Sequence, residues 1–519
     1  MSSAIAVRRI LALPPALRRQ LYSTASTTPA SSPELYDIVC IGGGPVGLSL
    51  LSALRSSKST KDLKVALIDA QDLSAPRNAE FSHDQYSNRC SSLTPSSLRF
   101  LRGSGAWDEH VAKERAQPYH AMDVWDGVSG RKVHFDPSDS RAGGILDEVA
   151  RIIPGSRFQA SSSHHRASEE HNIVATMCEN TNLQRALLRR VDGEVNGVEV
   201  IDNTKVQSIE FGPEPQSDEG LNLSQWPVVT TQSASGPRSL AARLLVGADG
   251  ANSPVRRFAD IPSHGWDYNQ HGVVATLNFD PSISHGGLRT AYQRFLPTGP
   301  VALLPLPDNR ASLVWSTTPQ HAARLKALMP EHFTAMVNAA FRLMSVDINF
   351  ILANPTSSAI DEVAWREPAT PASSTGLPAT FPRIESVQPG SVASFPLRMR
   401  HASTYTGHRV ALIGDAAHTI HPLAGQGLNL GLADAEALAK YIVRGVEHGM
   451  DIGSCWCLDD YNSERWAANN AMMGTVDKLN KLYSAASGPV VWGRSLGLEL
   501  VDKLGPLKGM FMGAAGGGR

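Results

Sequence analysis

Three glycine- and aspartate-bearing stretches, far apart in the chain, carry the residue types needed to hold a phosphorylated cofactor. The first is Gly42-Gly43-Gly44-Pro45-Val46-Gly47, a G-x-G-x-x-G spacing with Asp69 downstream. In that spacing Gly42 permits a tight turn, Gly44 lets a pyrophosphate approach the backbone and Gly47 lets a helix pack close to a strand. Pro45 opens the helix, whose free N–H groups face the phosphates. Asp69 closes the next strand, where a carboxylate can bind both hydroxyls of a ribose; an ordinary turn residue is the other reading. The second stretch is Gly247-Ala248-Asp249-Gly250-Ala251-Asn252-Ser253, leading to Arg256. A strand ending this way brings backbone donors and one carboxylate to a polyphosphate or ribityl chain, and it also fits a β-turn with no ligand. The third runs Gly414-Asp415-Ala416-Ala417-His418, then Pro422, then Gly425-Gln426-Gly427-Leu428-Asn429. Asp415 can accept from ribityl hydroxyls. The helix that starts at residues 425–429 can turn its amides toward the pyrimidine edge of an isoalloxazine and stabilise negative charge there. His418 and His421 read as hydrogen-bonded histidines, and no metal is expected: neither they nor Cys455 and Cys457 have further ligands at a suitable spacing.

The elements that must position these residues are legible in outline. An apolar strand at 37–41, a glycine turn, an apolar-periodic helix at 45–54 and a second strand at 63–69 form a βαβ start and hence a parallel sheet. Short buried strands at 243–246 and 409–413 lead into the second and third stretches. The fold class is therefore α/β: a Rossmann-like cofactor domain, discontinuous over residues 34–120, 171–257 and 400–465. A mostly antiparallel substrate domain is inserted at 121–170 and 258–399. Residues 266–320 and 391–400 alternate with the period of strands, and turn signals fall at 297–300 and 307–309. Residues 320–350 read as helix. Residues 366–390, rich in Pro, Ser and Thr, read as a mobile loop, and 136–170 are similarly loose. Helical patterning returns at 428–443 and from Leu458 onward, giving a C-terminal helical region at 466–519. No internal repeat is present.

Composition narrows the function classes. The 519 residues allow two to four domains at roughly 100–200 residues each. Forty-eight Lys plus Arg balance 49 Asp plus Glu, leaving a net charge of -1, so no global field recruits nucleic acid. No apolar run approaches the roughly 18 positions of a membrane-spanning helix. Residues 1–33 carry Arg8, Arg9, Arg18 and Arg19, and no acidic residue precedes Glu34. That composition reads as a mitochondrial presequence; a disordered basic tail is the other reading. Five cysteines, odd in number and mostly far apart, argue against a disulfide framework. From Asp477 onward, apolar helical positions mix with Lys478, Lys481, Lys503 and Lys508, which suits either a membrane-surface or partner-docking segment or a last packed helical layer.

The three stretches, in this order, resemble the group A flavoprotein hydroxylases, the family of para-hydroxybenzoate hydroxylase, over roughly residues 36–470. The resemblance implies that Gly42, Gly44, Gly47 and Asp69 belong to an ADP site and Asp249 with Gly250 to a shared Asp-Gly motif. Gly414 and Asp415 would belong to a ribityl site. It also implies that Arg89, in Ser87-Asn88-Arg89, reaches the pyrophosphate region and that Gln184 lies beside the flavin; a surface arginine and a helix-face glutamine are the other readings. Gly265-Trp266-Asp267-Tyr268-Asn269-Gln270 and Gln293-Arg294-Phe295-Leu296-Pro297-Thr298-Gly299-Pro300 are similar to the ubiquinone-biosynthesis hydroxylases. The 87–95 segment resembles their mitochondrial members. The implied activity is FAD-dependent hydroxylation, with dioxygen, at ring position five of a polyprenylated 4-hydroxybenzoate-type precursor. Pro422, Gly425, Gln426, Gly427 and Leu428 would act by backbone placement rather than proton transfer. The resemblance further implies electrons from a ferredoxin and its reductase, with direct reduction by NADPH as in bacterial relatives the other reading, a place in a ubiquinone-biosynthesis protein complex, and peripheral contact with the matrix side of the mitochondrial inner membrane. Another phenol hydroxylase, or a flavin reductase acting on an isoprenoid, is the nearest alternative. A non-catalytic prenyl-binding module on the same fold would not need Asp415 or residues 425–429.

Overall fold

A computed structural model gives the fold and describes residues 32–136, 173–192, 198–214, 222–233, 236–280, 288–354, 357–422 and 425–484. The expected presequence through residue 31, the loose segment from residue 137 to 170 and the chain after Ser484 lie outside the described residues.

The chain builds two large sheets. In the first, strand Glu34–Ile41 lies between parallel neighbours Val65–Ile68 and Gly236–Gly247, with Glu199–Ile201 beyond one and Val410–Leu412 beyond the other. Ile38, Val39 and Cys40 are all fully buried, as expected of parallel strands covered on both faces. Helix Pro45–Ser56 packs against helix Gly427–Glu447 on one side of this sheet, so residues 382 positions apart share one layer. The antiparallel strands Lys205–Phe211 and Pro227–Ser233 extend off Gly236–Gly247.

The second sheet has nine strands and is mostly antiparallel. Strand Ser263–Phe279 pairs with both Arg310–Thr317 and Ala393–Ala402, and the meander Thr290–Leu296, Gly299–Leu306, Arg310–Thr317 continues it. Thr290–Leu296 then pairs in parallel with Ala121–Asp126. Period-two alternation divides each strand between two faces. Tyr292, Val301, Leu303, Leu313 and Trp315 pack into a core with Phe333 and Phe341 of helix Pro330–Arg342. Gln293, Phe295, Ala302, Leu304 and Val314 face the other way, into a cavity.

Two expectations need correction. Residues 366–390 hold a 3-10 turn Glu367–Ala369, a helical turn Ala372–Thr375 and strand Ile384–Val387, which pairs with Ser263–Phe279. Phe381 pins the segment: it is buried and lies against Tyr292 and Phe341. One aromatic anchor gives no periodic signal. The boundary placed at 465/466 falls inside one continuous helix, Cys455–Ser484. The helix crosses from one sheet to the other: Tyr461 donates to Leu412 O at the parallel sheet, and Tyr483 stacks on Phe295 of the antiparallel one.

A third, small sheet of Cys90–Leu93, Ala175–Glu179 and Ala116–Tyr119 joins these layers. Beside it Arg115 and Glu179 form a buried pair at 2.6 Å, with side-chain exposures of 5% and 2%. Arg115 also donates to Ser82 O and Gln85 O, and Glu179 accepts from Ser87 N, so the pair clamps the segment carrying Arg89. Removing one partner strands a buried charge, which costs about 3–5 kcal/mol. Arg115→Met should lower the thermal unfolding midpoint markedly, and the double change with Glu179→Gln should recover part of the loss. An unchanged midpoint in the single variant would contradict this role.

Candidate active site

The first stretch folds as its glycines require. Gly42 has φ +115°, and a Cβ there would sit 2.1 Å from Ala248 O, so the first and second stretches touch backbone to backbone. A Cβ on Gly47 would lie 2.2 Å from Gly42 O, whereas one on Gly44 would meet nothing within 4 Å. The loop is closed behind Gly42 and Gly47 and open in front of Gly44. Asp69 accepts from Gly43 N at 2.6 Å and Gln71 N at 2.7 Å, and Gln184 donates to Gly43 O at 2.8 Å. Both side chains brace the loop.

In the second stretch Asp249 accepts from Val255 N through Oδ2, while its Oδ1 is buried with no partner. Burial pushes its carboxyl above the ordinary range, and hydrogen bonds from Ser253 and Val255 offset only part of that. Gly250, next to it, has φ +82° and open space at its Cβ position.

The third stretch leaves the strand Val410–Leu412 through Gly414, whose φ is +59°. Asp434, fully buried on helix Gly427–Glu447, accepts from Gly414 N at 3.1 Å, His418 Nε2 at 2.5 Å, Arg465 Nε at 2.9 Å and Asn469 Nδ2 at 2.9 Å. Burial opposes its ionisation, yet His418 and Arg465 outweigh that and hold its pKa below the usual carboxylate range. His418 is thereby a hydrogen-bonded histidine. His421, fully buried, meets Gln270 Oε1 at 3.3 Å and the Tyr268 ring edge-on. Burial drops its pKa to about 4, so it is neutral at physiological pH. Among the described residues no group of three or more His, Cys, Asp or Glu could hold a metal.

These stretches enclose one cavity of about 1540 Å³, above the roughly 300–1,000 Å³ of a site for one drug-sized ligand. Gly44, Pro45, Arg89, Gly250, Asp415, Pro422, Gly425, Gln426, Gly427 and Leu428 line it. Gly42, Gly47, Asp69, Gln184, Asp249, Gly414 and Asn429 are not part of that lining. The Asn429 side chain is engaged by protein: its amide accepts from Thr94 N and Ser97 Oγ and donates to Ser92 O and Gly425 O. With its donors and acceptor engaged by protein, this side chain fastens the helix start to segment 92–97. Opposite the glycine loops the lining is mostly apolar and comes from the antiparallel sheet and from Leu479, Leu482 and Tyr483 of the long helix.

An FAD-binding-domain family model matches residues 36–359 and 371–475. The mitochondrial ubiquinone biosynthesis monooxygenase of Saccharomyces cerevisiae is 38% identical over 517 residues, covering 96% of this chain and 98% of that one. The chain belongs to this flavoprotein family. The Homo sapiens member is 35% identical and covers 94% of this chain and 93% of its own. The fold is shared with p-nitrophenol 4-monooxygenase from Pseudomonas putida, at a TM-score of 0.62 and 18% identity, covering 94% of this chain and 99% of that one. Like these monooxygenases, the chain is an FAD-dependent enzyme, and its residues fit the cofactor: an open cradle at Gly44, an unpartnered Asp249 Oδ1 and a carboxylate at Asp415 all face or adjoin one cavity.

Sequence reasoning missed Asp434 and Arg465. A signal for Asp434 existed, because it interrupts the apolar stripe of Leu430 and Leu438 at helical spacing.

Asp415 is ringed by protein although its carboxylate opens onto the cavity, and burial raises its pKa above the ordinary value. A carboxyl with a raised folded pKa stabilises the fold when protonated, and the fold loses that stability as pH rises from the unfolded value through the folded one. Because Asp415 is exposed toward the cavity, water screens most of this penalty, and only a small part of it stands at pH 7. Asp415→Asn should therefore raise the melting temperature of the flavin-free protein only slightly at pH 7 and not measurably near pH 3. A lower melting temperature at pH 7 would contradict it.

Proposed function

We propose that the chain hydroxylates ring position five of a polyprenylated 4-hydroxybenzoate-type intermediate of ubiquinone biosynthesis. The observation that carries this reading is the joined cavity: polar glycine loops at one side, an apolar sheet face and helix at the other, and volume beyond that of a single small ligand. An apolar half of this kind suits a prenyl tail, since its burial is driven by removing hydrocarbon from water.

In this reading Gly42, Gly44, Pro45 and Gly47 hold the pyrophosphate, with Asp69 on the ribose and Gln184 fixing the loop. Arg89 adds a positive charge, and Asp249, Gly250, Gly414 and Asp415 hold the ribityl side. FAD supplies the activation of dioxygen when bound and reduced. Pro422, Gly425, Gln426, Gly427 and Leu428 shape the wall where the ring reacts: Gly425, at φ +59°, aims the turn, and the amides of residues 427–429 start a helix with a positive end. Asn429 serves as the fastener of that turn. The apolar walls exclude water and orient the ring.

The relatives are named mitochondrial, and the proposal places this chain in the matrix, peripheral to the inner membrane and within a ubiquinone-biosynthesis complex. Among the described residues no helix is long and apolar enough to cross a membrane. The sequence carries a single dinucleotide fingerprint, so no dedicated nicotinamide domain is expected, and on the family resemblance the proposal takes a ferredoxin and its reductase as the electron donor.

Three measurements test this. Denaturing the purified protein should release FAD, and Asp415→Ala should lose most of it; a full yellow spectrum in that variant would contradict the ribityl role. Incubation with a prenylated 4-hydroxybenzoate under labelled dioxygen should put one labelled oxygen on the ring. In stopped flow, rapid reduction by NADPH alone would overturn the ferredoxin proposal.

A further inference from the structure

We propose that Gln293 is a specificity-determining residue whose side-chain amide reads a neutral hydrogen-bonding substituent on the substrate ring, foremost a phenol hydroxyl. The proposal rests on the reading of the cavity as the site where a prenylated phenol is hydroxylated.

Register places the residue. Strand pairing sets Val133, Val124, Gln293, Ala302, Val314 and Val274 side by side in one row across the antiparallel sheet. All six line the cavity. Five are apolar, so Gln293 is the single polar side chain in the row. Its chain neighbours point the other way: Tyr292 packs in the helix-covered core, and Arg294 donates to Ala340 O behind the sheet.

Gln293 is 5% exposed, and no hydrogen bond from its side-chain amide to any described residue is present. Its amide atoms open onto the cavity and are not sealed within the sheet, and on so apolar a face a valine or leucine would have completed the row. Nearby polar groups make no such demand, since Ser92 Oγ and Tyr119 OH satisfy each other at 2.8 Å. The unpartnered amide is thus aimed into the cavity with donor and acceptor capacity unspent.

The chemistry of the substituent follows from charge. An amide offers donors and an acceptor but no charge. Among the described residues lining the cavity the cations are Arg89 and Arg398, both exposed, so an ionised carboxylate beside Gln293 would be desolvated with no counter-charge. A hydroxyl, which donates and accepts, matches the amide at both ends.

The test uses flavin-loaded, full-length protein and calorimetric titration with two probes, 2-geranylphenol and geranylbenzene, which differ only in the hydroxyl. The wild type should bind the phenol about tenfold more tightly. Gln293→Leu and the closer-shaped Gln293→Met should melt no lower than wild type, because each completes the apolar row. In both, phenol affinity should fall about tenfold while the hydrocarbon binds as well or better, so the ratio collapses toward one. A preserved ratio in natively melting variants overturns the proposal, as does a wild type that binds both probes equally; in either case the substrate-class reading stands. Failure of both probes to bind wild type overturns that reading and this one with it.

Discussion

Asp434 is a carboxylate with no exposed surface that accepts from four donors, and these come from three different parts of the molecule's central junction. Gly414 N is where the parallel sheet ends. His418 begins the two-residue strand that pairs with His401 at the edge of the antiparallel sheet. Arg465 and Asn469 stand one turn apart on the long C-terminal helix. An isolated buried carboxylate would cost several kcal/mol in desolvation, but a fully connected network inverts the sign, because each bond is stronger in a low dielectric. Asn469 passes the network on to Tyr405, and Tyr405 to His401. The turn that presents Asp415 is therefore set from beneath, by contacts that never reach the cavity.

This arrangement accounts for how so discontinuous a chain forms one site. The glycine loop meets the Ala248 carbonyl, and the third stretch is locked to helix Gly427–Glu447. That helix packs on Pro45–Ser56, which itself begins at the glycine loop. Arg115 and Glu179 do the same for the Arg89 segment, while Gln388 bonds both backbone groups of Tyr86 from the substrate domain. Each cavity-facing loop is thus tied on its far side to a second element, so the lining is rigid while the space in front of it stays open.

Much of this was readable from residues 36–69 alone. Parallel strands covered on both faces read as unbroken apolar runs, and a glycine triple between strand and helix has few structural meanings. The antiparallel sheet was equally plain from its alternation. What could not be read were matters that depend on which face meets what. Thr290–Leu296 is buried on both faces, so its sequence does not say that Gln293 faces a cavity while Tyr292 and Arg294 face helices. Asn429 stood in the right motif, yet only tertiary contact with Thr94 and Ser97 shows that its amide serves the protein. Phe381 anchors a Pro- and Ser-rich segment that patterning alone leaves loose, and the 465/466 boundary failed because helical periodicity does not mark where one helix passes between two cores.

The polar groups left unpaired next to this junction are informative about what the fold was shaped to do. Asp249 Oδ1, His418 Nδ1 and Thr419 Oγ1 are buried without partners, and all belong to the second and third stretches. Burial raises the pKa of Asp249, so this carboxylate ionises against the fold's own stability, and Asp415, which opens onto the cavity, is shifted in the same direction. A sequence selected only for packing would have made them apolar, as it did for nearly every other residue on the strands they follow. Asp434 is satisfied within the scaffold, whereas Asp249 and Asp415 keep hydrogen-bonding capacity that the proposed ribityl contacts would use. Local conflict between polarity and burial is tolerated where function requires it and compensated a few ångströms away. The same logic, applied to the sheet face, singles out Gln293.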